Sequence, residues 1–114
     1  MITITVRKGS DSLIRGFRIA GHAEYDEGPQ EYDIVCASVS SVSLTAALGL
    51  KEVLHKKGRY ETEDGFLAVD IGEGADDRTE AVIQTMLAGL REIQKQYPER
   101  IQFHHAGGES HVPV

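Results

Sequence analysis

Three features predict an α+β domain for this chain. Two hairpin signals each precede one helix-period segment, a short strand pattern closes the sequence, and no internal repeat or linker interrupts it. The expected order is strand-strand-helix-strand-strand-helix-strand, folded as a largely antiparallel sheet with two packed helices. At 114 residues this is one domain with a single core. The domain is expected over residues 1–105, with 106–114 as a mobile tail rich in glycine.

The first strand is read from strict alternation: Ile2, Ile4 and Val6 on one face, Thr3, Thr5 and Arg7 on the other. Lys8-Gly9-Ser10-Asp11 supplies a turn. A second strand follows over 13–20, with Phe17 and Ile19 on one face, and runs into Gly21-His22-Ala23. Residues 24–33, acidic and interrupted by Gly28-Pro29, read as a surface loop. From Ile34 the period becomes helical, with Val35, Val39, Val42, Ala46, Leu50 and Val53 on one stripe. Lys51, His55, Lys56 and Lys57 suit the negative end of that helix, and Gly58 reads as its stop.

Residues 60–71 carry a second hairpin around Asp64-Gly65, a strong two-residue turn signal. Gly72, Gly74 and Asp76-Asp77 then break the chain. Asp77 followed by Glu80 resembles a capping box. The second helix places Ile83, Met86, Leu87, Leu90, Ile93 and Tyr97 on one face and stops before Pro98. Ile101 and Phe103 mark the last strand.

Composition narrows the function. Hydrophobic residues make up 40% and charged residues 26%, the balance of a globular domain. No apolar run is expected to span a bilayer, and the first residues lack a secretory pattern. A single cysteine excludes an intrachain disulfide and argues against a thiolate zinc cluster, which predicts a reducing cytoplasm. The formal net charge of −6 disfavours nucleic acid and suits a basic partner or substrate.

That lone cysteine, Cys36, lies fourteen positions after His22. With the helix beginning near Ile34, its thiol would face the positive end of the helix dipole, which favours thiolate. The amides of Cys36 and Ala37 would be candidate donors to an oxyanion. His22, at a strand end, would take the thiol proton, and Asp33 would cap the helix or orient a polar partner. The bland reading stands beside this one: a cysteine on a valine-rich helix can be a packed small residue, and a strand-end histidine can simply be solvated.

The local string separates the two readings. Gly21-His22-Ala23, a short loop, Asp33-Ile34-Val35-Cys36-Ala37 and Val39-Ser40 together resemble the Prp (YsxB-like) ribosomal-processing cysteine protease family. The resemblance extends along the chain to the TMLAGL segment and the closing QYPERI. It implies a small cytoplasmic protease, a homodimer with a Cys–His dyad and no cofactor. Its implied substrate is the precursor of a bacterial large-subunit ribosomal protein, number twenty-seven in that series, cut after an aromatic residue. By the same resemblance His22 is the base and Cys36 the nucleophile, while Asp33, Ser40, Gly21 and Ala37 support them. Glu24, Gly28, Pro29 and Tyr32 belong to the segment expected to cover the substrate. The chain departs from the family pattern in a longer His-to-Cys spacing, in Glu31 where glycine is usual, and in Ser38.

Two rivals come from other classes. One is a noncatalytic module that binds a ribosomal protein or assembly factor, and the other is a redox sensor, which would need a resolving cysteine from elsewhere. His104, His105 and His111 with Glu109 raise a metal site, but adjacent strand residues point to opposite faces, and no metal is expected.

Overall fold

The computed structural model describes residues 1–22 and 29–106, and of 29–33 and 106 the backbone alone. Five strands and two long helices follow the expected order: β1 (Ile2–Lys8), β2 (Ile14–Gly21), α1 (Pro29–Leu48), β3 (Arg59–Glu63), β4 (Phe66–Asp70), α2 (Asp77–Gln96) and β5 (Ile101–Ala106). The sheet order is β3-β4-β2-β1-β5. Every neighbouring pair is antiparallel except β1 and β5, which run parallel with Ile2 opposite Ile101. Ala106, expected in the tail, is the last residue of β5.

The alternation of β1 translates directly into burial: Ile2, Ile4 and Val6 are in the core. β2 contains a device that alternation does not reveal. Arg7 pairs with Gly16 but Lys8 pairs with Ile14, so Arg15 is the extra residue of a β-bulge. The bulge resets the phase of the strand, and Ile14 reaches the same core as Phe17 and Ile19. Arg15 is held there by donating to the Gly72 carbonyl at 2.8 Å and to Asp11 at 3.0 Å.

α1 begins at Pro29, five residues before the expected start at Ile34. Proline suits the first helical position, where its missing N–H and fixed φ do no harm. The helix ends earlier than expected as well. A π-helical turn, Gly49–Val53, passes to His55 in the left-handed region at φ 55°. Gly58 is not the stop; a Cβ there would lie 2.2 Å from the Asp70 carbonyl oxygen, so glycine lets the approach to β3 pass close to β4.

Val35, Val39, Ala46 and Leu50 are buried as the stripe predicts, but Val53 is 72% exposed. Contrary to the sequence expectation, Ile34–Val53 matches a membrane span in length and apolarity. Its buried face belongs to the same core as the sheet, where Leu50 is 0% exposed.

α2 buries Ile83, Met86, Leu87 and Leu90, with Ile93 and Tyr97 partly covered. Its cap lies one residue before the expected one. Asp76 accepts from the amides of Arg78 and Thr79 at 2.9 and 3.0 Å, and Thr79 returns the bond through its hydroxyl. Glu80, expected to close that box, instead accepts the Ile14 amide at 2.9 Å and ties α2 to β2. Leu90 has no exposed surface, so Leu90→Ala is expected to remove about 2–5 kcal/mol of stability. A thermal melt checks this, and a Tm close to that of the wild type would contradict the packing.

Lys56, expected to serve the helix dipole, reaches Asp76 at 2.6 Å. That bond, followed by the Thr79 amide, holds the Asp76 carboxyl below its ordinary value. A carboxylate depressed by folding adds stability above its unfolded pKa and loses it as pH falls through the folded one. Asp76→Asn keeps a good cap but offers Lys56 no charge. Its Tm is therefore expected to fall below the wild type at neutral pH, with the gap closing below about pH 4. A gap unchanged in acid would remove the ion pair from the account. The effect will be modest because the pair is partly solvated.

Candidate active site

The end of β2, the middle of α1 and the β3–β4 turn converge on one cleft of about 360 Å³. His22 and Cys36 both line it. His22 follows the last residue of β2, and its carbonyl accepts the amino group of Met1. Gly21, just before it, has φ +108°, and a Cβ there would lie 2.2 Å from the Met1 carbonyl oxygen. Glycine is therefore the residue that lets the strand end turn beside the start of β1.

Cys36 sits on α1 and is half-buried. Val39, Ser40 and Ser43 line the cleft with it, at the spacing of one helix face. Ser43 is buried and donates its hydroxyl to the Val39 carbonyl at 2.7 Å, so its polarity is satisfied within the helix. Leu44, Thr62, Glu63, Asp64, Gly65, Phe66 and Leu67 form much of the remaining wall.

Several sequence expectations change here. Cys36 is the eighth residue of α1, not a first-turn residue. Only the first four amides of a helix lack an intrahelical acceptor, and the dipole fades within the first turn. The amides of Cys36 and Ala37 are thus committed to the helix ladder and are not free oxyanion donors, and Ala37 is not part of the cleft wall. Asp33 lies inside the helix and cannot be its N-terminal cap. Pro29 and Tyr32 belong to the first turns of α1 and not to a loop, while Glu24 and Gly28 lie outside the described residues. Ser40 reaches the cleft as expected.

The histidines of β5 are elsewhere. His104 is exposed, and His105 is on the opposite face, partly covered beside Phe103 and Arg91. Among the described residues no group of three His, Cys, Asp or Glu side chains comes together as a metal set. Glu109 and His111 lie outside them.

The residues that sequence reasoning missed are those of the β3–β4 turn and its flanks. The Asp64-Gly65 turn itself was legible, but its place at the cleft depends on β4 pairing with β2. A Cβ on Gly65 would fall 2.6 Å from both Cε1 and Nε2 of His22, so the imidazole rests against the turn.

An α+β domain that presents a helix thiol and a strand-end imidazole to one cleft has the layout of a cysteine peptidase. The chain belongs to the cysteine protease Prp family, whose model matches residues 1–102. The ribosomal processing cysteine protease Prp of Staphylococcus aureus is 29% identical over 108 residues, covering 92% of this chain and 99% of that protein. Its Bacillus subtilis namesake is 28% identical over 112 residues, covering 90% and 95%. The S. aureus protease, crystallised with a substrate peptide, superposes with a TM-score of 0.79 at 24% identity, over 93% of this chain and all of that one. This protein is a cysteine peptidase with the Prp fold.

Proposed function

We propose that this protein is the endopeptidase that removes the N-terminal extension from the precursor of large-subunit ribosomal protein number twenty-seven, with Cys36 as nucleophile and His22 as general base. The observation that carries this reading is that the two side chains marked by the family pattern line the same cleft. The related S. aureus enzyme, named for ribosomal processing, holds a substrate peptide.

His22 takes the proton from the Cys36 thiol, and Sγ attacks the carbonyl carbon on the C-terminal side of an aromatic residue. The C–N bond breaks as the imidazolium gives its proton to the departing amine. Water then adds to the thioester with His22 again accepting a proton, and the free carboxylate leaves with the thiol restored. No metal or organic cofactor enters these steps. Among the described residues the cleft wall contributes Glu63 and Asp64 and neither lysine nor arginine, which supports a basic substrate, as does the net charge of −6.

On this reading the protein works in the cytoplasm, with no membrane partner and no direct nucleic-acid partner. The active form is a homodimer, a reading supported by the exposed Leu48 and Val53 on and beyond α1. Sedimentation should then give twice the chain mass of 12.5 kDa.

The test is incubation of the protein with the precursor from its own source organism, read by mass spectrometry. A single cut after an aromatic residue near the N-terminus is expected. An intact precursor beside a thiol that alkylates rapidly would overturn the substrate while leaving the nucleophile.

A further inference from the structure

The catalytic steps use His22, just after β2, and Cys36 on α1, but no residue of the β3–β4 turn that lines the same cleft. We propose that Gly65 is a positioning residue for His22: its missing side chain makes the seat in which the imidazole rests. The inference rests on the reading of His22 as the general base.

Three observations meet at this position. Gly65 has φ +73°, as the second residue of a tight hairpin turn, so the backbone itself favours glycine or asparagine. A Cβ there would lie 2.6 Å from Cε1 and Nε2 of His22 and 3.4 Å from Cδ2. The first two distances are shorter than van der Waals contact between such atoms permits. The Gly65 carbonyl also accepts the Gly21 amide at 2.9 Å, so the turn is bonded to the residue preceding the histidine.

These constraints are separable. Backbone geometry excludes most side chains from Gly65 whatever surrounds it, and Asn satisfies that constraint. The contact with His22 excludes Asn as well. A ring at the end of two rotatable bonds yields more readily than a paired strand, so the clash is relieved by swinging the imidazole away. A side chain at position 65 therefore displaces the base from the thiol while the sheet persists. The loss falls on proton transfer and not on folding or peptide binding.

Gly72 provides the matched control. It too has a positive φ, of +50°, but among the described residues a Cβ there would meet only Asp70 Oδ1, at 3.8 Å. Gly65→Asn, Gly72→Asn, His22→Ala and wild type are compared in two assays: alkylation of the lone thiol by iodoacetamide from about pH 5 to 9, and peptide cleavage. Gly65→Asn is expected to lower kcat by roughly 10–100-fold with KM changed less than about threefold, and to give the alkylation profile of His22→Ala. Gly72→Asn should stay within about twofold of wild type.

A folded Gly65→Asn protein with the wild-type alkylation profile, while that of His22→Ala differs, would overturn the positioning role and leave the dyad standing. Identical profiles for wild type and His22→Ala would overturn the dyad and the positioning role with it. An NMR measurement on the unmodified protein keeps the inference testable if the variant fails to fold. A nuclear Overhauser effect between the Gly65 α-protons and the His22 ring is expected, and its absence would overturn the seat.

Discussion

Cys36→Ala is expected to reduce peptide cleavage by roughly 10⁴-fold or more, because no other thiol exists in the chain to take over the attack. The fold should persist. Cys36 is only half-buried at the edge of the core, and alanine is a better helix former than cysteine. Tm within about 4 °C of wild type, with catalysis lost, is the combined result that assigns Cys36 to chemistry. Cleavage at the wild-type rate by the alanine variant would return the thiol to the status of a packed side chain, and the noncatalytic binding module would regain its force.

His22→Ala should lower kcat by about 10²- to 10⁴-fold, the range typical of a positioned general acid–base group. It should also flatten the limb of the pH–rate profile that reports ionisation of the base. The backbone of residue 22 carries a separate function, since its carbonyl accepts the Met1 amino group. That bond survives side-chain truncation, so the loss can be read as chemical. Added imidazole should recover part of the rate if the space left by the ring admits it. An unaltered pH profile in the variant would assign proton transfer to another group.

Much of this architecture was written locally. The alternation of β1, the Asp64-Gly65 turn and the apolar face of α2 each follow from nearest-neighbour physics, and each reappears in the structure. What escaped was decided by distant partners. The bulge at Arg15 has no mark in the strand, because it is settled by pairing with β1 and by the Gly72 carbonyl. The start of α1 is instead a local ambiguity: an acidic stretch with Gly28-Pro29 resembles a loop, whereas proline also opens helices. The capping residue was off by one because Glu80 is engaged by Ile14, a bond that spans the chain.

The site divides in the same way. His22 and Cys36 were legible as a pair because the string around them resembles a family. Ser43 was hidden among four serines whose roles only the helix face distinguishes. Gly65 was read as a turn former, which it is, while its contact with the imidazole arises only after β4 pairs with β2.

The parallel pairing of β1 with β5 has a consequence for the life of the chain before it is complete. Ile2 finds its β5 neighbour at Ile101, ninety-nine positions later. Pairings between such remote residues form slowly, since closing so long a loop precedes any gain from the contact. During synthesis the first strand therefore emerges early and waits, with one hydrogen-bonding edge open, until nearly all of the described domain has left the ribosome. An open edge beside Ile2, Ile4 and Val6 is a template for pairing with other chains. A protease whose relatives are named for ribosomal processing would thus be most vulnerable to aggregation while it is still attached to a ribosome.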